Sequence, residues 1–276
     1  MKNKRIYVVG AALVLAAGYL FMTKQAHTPY QIKALSPARI EGLKNRNLIK
    51  DDCPIDPKRL VLIDKIAYWD FANKEHHDGQ LIVLDTLAPY TVAVLKQMHK
   101  KHFPIVKMRL IEHYNGDDDA SCDDNNSSAF NDRVIGGKTI KSLHAYGVAI
   151  DINPIENPYL VGKEGQQIAY SDRKDQRPGM VEPIVPCFET HGFQWGGDPK
   201  HDAYPDYQHF DVPRPLAELL ACMPCHDATA FFKDYVANRQ LLEKMQDCYA
   251  KDHSLAQAYK KNPGAFRIHW KKQKTG

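Results

Sequence analysis

The stretch Ser142-Leu-His144-Ala-Tyr-Gly147-Val-Ala149-Ile-Asp151 constrains this 276-residue chain more than any other. It sets a histidine and an aspartate seven residues apart, with a glycine between them, at the start of an alternating apolar run. Side chains of a strand alternate between faces, so one regular strand would send His144 and Asp151 to opposite sides. Gly147 can break or turn such a strand. The spacing therefore predicts an irregular backbone near Gly147 that brings both polar side chains inward. A second cluster, Asp206-Tyr-Gln-His209-Phe, follows about sixty residues on.

Catalytic zinc takes three protein ligands from His, Asp and Glu and leaves one position for water. His144, Asp151 and His209 satisfy that inventory. Asp206, three residues before His209, is a spare carboxylate that can stand beside a metal and take a proton from its water. A lone histidine beside an apolar strand is more often a core residue than a ligand. The pairing of the two clusters is what points to a metal-dependent hydrolase.

Composition sets the class. Hydrophobic residues make up 43% of the chain and charged residues 25%, as in an ordinary globular protein. The net charge of +4 comes without a Lys/Arg stripe interleaved with aromatics, so no nucleic-acid partner is expected. Such a balance suits a solvated surface, or attraction to an anionic polymer or lipid.

The N-terminus is more specific. Lys2, Lys4 and Arg5 precede an apolar run from Ile6 to Met22, and Lys24 follows. That run is at the short limit for a membrane-spanning helix. It is expected to be a signal anchor, with the N-terminus cytoplasmic, inner-membrane lipid as its partner and the rest of the chain exported to the periplasm or beyond. A cleaved secretory signal is the alternative. Cys53, Cys122, Cys187, Cys222, Cys225 and Cys248 are an even set that would pair as disulfides in an oxidising compartment; free buried thiols are the other reading.

The expected organisation is an anchor or signal over residues 1–27, a polar linker or arm over 28–55, a catalytic domain over 56–215 and a helical extension over 216–276. Leu60–Ile63 and Leu81–Leu84 are apolar runs suited to strands, and Ile105 to Ile111 alternates as a strand would. Val92, Val94, Leu95 and Met98 mark a helix between Pro89 and His102. Short strands are also expected at Val148–Ile152 and Phe210–Val212, and the basic tail from Lys251 is expected to fray. Asp117, Asp118, Asp119, Asp123 and Asp124 crowd one loop. Calcium is one reading of it, but the ligand spacing and terminal Glu of an EF-hand are missing, which favours a solvated acidic loop. The fold class expected is α+β: a small, mainly antiparallel sheet flanked by helices with a metal cleft, an N-terminal anchor and a helical C-terminal extension.

Four ordered motifs carry a resemblance. Ser128-Ala-Phe130-Asn-Asp-Arg133, SLHAYGVAIDINP, GFQWGGDP and DYQHF resemble the zinc D-alanyl-D-alanine carboxypeptidase and L-alanyl-D-glutamate endopeptidase family, most closely its vancomycin-resistance carboxypeptidase-like members. The resemblance covers about residues 105–212. It implies Zn2+ held by His144, Asp151 and His209, with Asp206 as general base. It also implies that Arg133 binds substrate and supplies positive charge to the developing oxyanion, with Arg109 the weaker choice for that role. Ser142 would orient His144 or the substrate, and Trp195 and Tyr207 would line the substrate cleft or pack in the core. His191 and His201 are read as bystanders or as supports of the ligands. The implied activity is cleavage of a peptidoglycan stem peptide at a D-amino-acid bond, with D-Ala-D-Ala favoured over L-Ala-D-Glu. The alternative is a non-catalytic wall-binding protein that keeps the fold. Outside the resemblance, Cys222-Met-Pro-Cys225-His226 has the form of a c-type haem attachment site; a local disulfide or redox dithiol is the plainer reading.

Overall fold

The computed structural model describes residues 28–160, 177–199, 205–252 and 254–275. Its first layer is an antiparallel sheet in the order β1-β2-β3, from β1 (Gln31–Ala34), β2 (Leu60–Trp69) and β3 (Glu75–Leu84). The two apolar runs of the sequence lie directly opposite each other, with Leu60 across from Leu84 and Ile63 across from Leu81. The hairpin between them closes through Asp70, whose carboxylate accepts from the backbone N–H groups of Ala72 and Lys74. An aspartate that bonds the backbone just ahead of it is a common way to set such a turn. Residues 28–55, expected as a linker, hold β1 and α1 (Pro37–Asn45). Ser36 caps α1, and Leu35, Leu43, Leu48 and Ile49 bury against the sheet.

Helix α2 (Ala88–Lys100) packs on β2 and buries Val92, Val94, Leu95 and Met98, the residues that its periodicity singled out. The strand expected from Ile105 to Ile111 shrinks to β4 (Lys107–Met108), paired in parallel with β5 (Asn126–Ser127). Beyond Met108 a side chain replaces the strand partner: the Asn126 amide accepts from Arg109 N–H and donates to Arg109 C=O. The acidic loop contains α3 (Asp118–Asp123), capped by Asp117. Acidic residues in a first turn are favoured by the helix dipole, which accounts for Asp118 and Asp119 without calcium.

A third sheet holds β6 (Ile150–Asp151), β7 (Gln194–Trp195) and β8 (His209–Asp211) in the order β6-β8-β7, all antiparallel. Helix α4 (Val185–Glu189) precedes β7. The architecture is thus α+β, but among the described residues it is built from three small sheets rather than one, and β4–β5 is parallel. Helical segments α5 (Arg214–Cys222), α6 (Cys225–Ala237), α7 (Gln240–Cys248), α8 (Leu255–Lys261) and α9 (Pro263–Thr275) form the C-terminal region. The tail does not fray. Phe266 and Trp270 of α9 are buried, Arg267 pairs with Asp227, and the Trp270 indole N–H donates to Asp234.

Arg59 ties this helical region to the first sheet. Its guanidinium holds the Asp85 carboxylate and donates to the C=O groups of Leu220 and Met223 at the end of α5. Terminal helix carbonyls lack partners within the helix, and Arg59 supplies them.

The disulfide expectation is corrected: all six cysteines are free. Even the nearest pair in sequence points apart. Cys222 Sγ turns to the C=O groups of Leu219 and Ala256, whereas Cys225 Sγ is exposed beside Thr229. The His226 ring beside them is solvent-facing and paired with Asp227. The expected anchor over 1–27 lies outside the described residues. Among the described residues, no helix is long and apolar enough to cross a membrane.

Candidate metal centre

Two structural devices assemble the site. The first is strand register. Asp151 of β6 is the cross-strand partner of His209 of β8, and Ile150 is that of Phe210. Directly opposed residues on one face lie close enough to interact. One face of the pair therefore carries Asp151 and His209, while Phe210 on the other face is buried and stacks on Phe188.

The second device is the break predicted at Gly147. His144 sits in a short 3-10 turn, Leu143–Tyr146, and Gly147 ends it in the left-handed region at φ +66°. Gly147 C=O accepts from Leu84 N–H at 2.8 Å, and a Cβ on Gly147 would come within 2.8 Å of that nitrogen. The turn resets the chain, so a residue seven positions before Asp151 faces the same side. Ser142 caps the turn by accepting from His144 N–H. Asp151 is fixed on its other edge by paired backbone hydrogen bonds with Ser128.

The result is a compact donor set. His144 Nε2 lies 3.0 Å from Asp151 Oδ2, His209 Nδ1 lies 3.0 Å from Asp151 Oδ1, and the two imidazole nitrogens are 3.2 Å apart. The ligand atoms of all three residues fall within 4.8 Å of one another, and among the described residues no other group of His, Cys, Asp or Glu side chains does so. His144 and Asp151 are buried and His209 is partly so. His144 Nδ1–H donates to Ala129 C=O, which leaves Nε2 as the free lone pair. His209 Nε2 is 3.0 Å from Asp211 Oδ2, which leaves Nδ1 turned to the shared centre. Metal-bound histidines commonly hold their second ring nitrogen in this way. Two imidazoles and a carboxylate with converging lone pairs fit a divalent cation of zinc's ligand preference.

The electrostatics agree with that fit. Burial works to raise the Asp151 carboxyl pKa, yet His144 and His209 hold it far below the ordinary carboxylate range. Burial works to lower His209, but its bonds to Asp151 and Asp211 raise it well above the ordinary value. The pocket thus concentrates negative charge where a cation is wanted.

Asp206 is in the field of all three residues. Burial first, and the Asp151 charge after the opposing pull of His209, push its carboxyl up to about 7. Among the described residues, its Oδ1 is buried without a hydrogen-bond partner. Backbone bonds to Gly196 and His209 fix the segment that carries it. A carboxylate poised near neutrality beside the donor set suits proton transfer.

Arg133 is held by Asp118 at 2.7 Å, and among the described residues its buried Nε has no partner. It borders an open polar pocket of about 150 Å³, also lined by Asn47, Lys50, Asn115, Asn131 and Asp132. The Cys122 thiol lies within electrostatic reach of Arg133, Asp118, Asp151 and Asp206 alike. Arg109 is exposed and lies in the field of Tyr114 and Asp124. Ser142, Trp195 and Tyr207 are buried, at 5%, 6% and 1% exposure. Ser142 orients His144, and the Trp195 indole N–H is spent on Tyr207 C=O at 2.8 Å. His191 bonds Cys187 C=O, and His201 lies outside the described residues.

Sequence reasoning missed Asp211 and the Ala129 carbonyl. Asp211 had a legible signal, since His-x-Asp on a strand puts both side chains on one face. Ala129 had none, because a backbone acceptor is invisible in residue type.

An α+β fold with a buried His-Asp-His set and a neighbouring carboxylate defines a protein with a candidate mononuclear metal site. Residues 136–212 match the family model described as D-alanyl-D-alanine carboxypeptidase. The matched segment contains His144, Asp151, Asp206 and His209 and begins downstream of Arg133. Comparison with curated proteins gives no match, and comparison with solved structures gives none.

Proposed function

We propose that this chain is a zinc-dependent peptidase that cuts peptidoglycan stem peptides at a D-amino-acid bond, with the terminal D-Ala-D-Ala bond favoured over L-Ala-D-Glu. The observation that carries the reading is the coincidence of the buried His144, Asp151 and His209 set with the segment matched by the family. A family of D-alanyl-D-alanine carboxypeptidases implies such a peptide as substrate.

His144 Nε2, His209 Nδ1 and one Asp151 oxygen would hold the ion. When bound, zinc acidifies a water and polarises a carbonyl. Asp206, buried in the field of the three ligands, would take the proton from the attacking water and return it to the leaving amine. Arg133 supplies positive charge to the substrate from the edge of the polar pocket. Asp118 keeps that guanidinium in place. Export behind the N-terminal apolar segment, as a membrane anchor or a cleaved signal, would put the domain where such a substrate lies.

The test is incubation of zinc-loaded protein with purified muropeptides, followed by mass analysis. Release of D-alanine supports the reading, and a new amine terminus inside the stem would favour the endopeptidase. Unchanged muropeptides that nevertheless bind would identify a wall-binding protein and overturn the enzymatic reading.

A further inference from the structure

The segment matched by the family ends at Val212, yet Arg239, beyond it, bonds the turn that leads into β7. His209 depends on Asp211, whose Oδ2 is 3.0 Å from its Nε2. Among the described residues, the other Asp211 oxygen is buried without a hydrogen-bond partner. The orientation of this carboxylate is therefore set by the register of its strand and by packing, not by further side-chain bonds. That register is defined against β7, where Gln194 opposes Asp211 and Trp195 opposes Phe210.

Strand β7 emerges from a turn at the end of α4, and the C-terminal extension grips this turn. The Arg239 guanidinium donates to Glu189 C=O, to Gly192 C=O at 2.8 Å and to Phe193 C=O at 3.3 Å. It also donates to the Tyr235 hydroxyl at 2.6 Å and lies 4.7 Å from the centre of that ring. Glu189 is the last residue of α4, and Gly192 and Phe193 lie in the turn that follows it. Helix α6 lies flush on the same turn. Gly192 adopts φ +103°, and a Cβ there would come within 2.5 Å of Phe232 Cζ and 2.9 Å of Val236 Cγ2. Tyr235, bonded to Arg239, also lies within electrostatic reach of Asp211. Burial raises its hydroxyl pKa, Arg239 opposes that rise and the Asp211 charge adds to it, so the ring lies in the field of both.

We propose that Arg239 is a positioning residue of the metal site: by clamping the turn that feeds β7, the C-terminal extension keeps Asp211 on His209. The catalytic unit then extends past the family segment to at least residue 239, and a shift of the extension would tune metal affinity. The inference rests on the metal-binding reading of His144, Asp151 and His209 but not on peptide cleavage.

The experiment measures zinc affinity by chelator competition, and the visible spectrum after cobalt substitution, on the full chain. Arg239→Ala is expected to weaken zinc binding about tenfold, the lower end of what loss of a ligand's support produces, and to change the cobalt spectrum. Asp211→Ala is expected to weaken it at least as much, and the double variant no more than Asp211→Ala alone. Arg239→Lys should not restore affinity, because an ammonium cannot span four acceptors as a planar guanidinium does. Arg267→Ala breaks an ion pair inside the extension that does not touch the turn. It should lower the melting temperature and leave affinity and spectrum as in the parent.

If Arg239→Ala fails to fold, Tyr235→Phe keeps the ring, removes the hydroxyl that Arg239 leans on, and should show a smaller loss in the same direction. Zinc affinity within about twofold of the parent with an unchanged cobalt spectrum would overturn the proposal, as would an equal loss in Arg267→Ala. Metal binding without cleavage of any muropeptide would sink the proposed function and leave this inference standing. A parent protein that binds no zinc would sink both.

Discussion

Asp206 and Gly147 show how one position can carry chemistry or geometry on its own. Asp206→Ala should abolish peptide cleavage while zinc affinity stays near that of the parent, since the residue is not among the three converging ligands. Full activity in this variant would remove Asp206 from the mechanism. The raised pKa also predicts a pH effect on the metal-free protein. The folded-state value is about 7 against an ordinary 3.8, so the folded state holds this proton more tightly. Its stabilising contribution is complete below about pH 4 and is lost as pH rises through 7. Asp206→Asn should flatten that decline, and denaturant titrations of both metal-free proteins at pH 5 and 8 measure it; parallel pH profiles would contradict the assignment. Gly147→Ala forces a side chain into the left-handed region and against the Leu84 amide. Strain of about 1–2 kcal/mol plus the clash should lower the melting temperature and weaken metal binding together. A variant that loses neither would mean the turn can relax without moving His144.

At the scale of elements, β8 and the end of α5 each join two parts of the fold. In β8, alternation puts Phe210 in the core and His209 and Asp211 on the site face, so packing and chemistry are set by the same three residues. A one-residue slip of this strand would exchange the two faces. The end of α5 is held by Arg59, whose pair with Asp85 is mostly buried at 11% and 17% side-chain exposure. Removing one partner of such a pair costs about 3 kcal/mol, so Arg59→Ala should show a loss of that order in urea unfolding. Burial raises the Asp85 carboxyl, but Arg59 outweighs it and leaves the pKa lowered. The pair's contribution is therefore present above about pH 4 and lost as pH falls through the folded-state value. A parent and an Arg59→Ala variant with the same acid transition would refute this role.

For the whole molecule, metal occupancy should couple to folding, because the ligands come from two stretches of chain about sixty residues apart. A ligand that binds only the folded state at about one hundred times its Kd adds about 2.7 kcal/mol. Chelation should accordingly lower the melting temperature of the zinc-loaded protein, and His144→Ala or His209→Ala should remove the difference; an unchanged transition would argue against the site. Much of this was legible in the chain itself. The two polar clusters, the break at Gly147, the helix from Pro89 and the α+β class are consequences of residue type and spacing, which act locally. Other features were not legible. The arm over 28–55 became a strand and helix of the core because β1 found β2, a pairing across about thirty residues. The cysteines stayed apart because their elements point them apart. The burial of Trp195 and Tyr207 comes from packing that residue type does not reveal. The sequence by itself determined which side chains could bind a metal. Only the tertiary structure decided what holds them: the Ala129 carbonyl, the register that sets Asp211 on His209, and the extension clamped behind it. The Ala129 carbonyl and the clamp reach across the chain, from fifteen residues away in the first case, and residue order does not encode such distances.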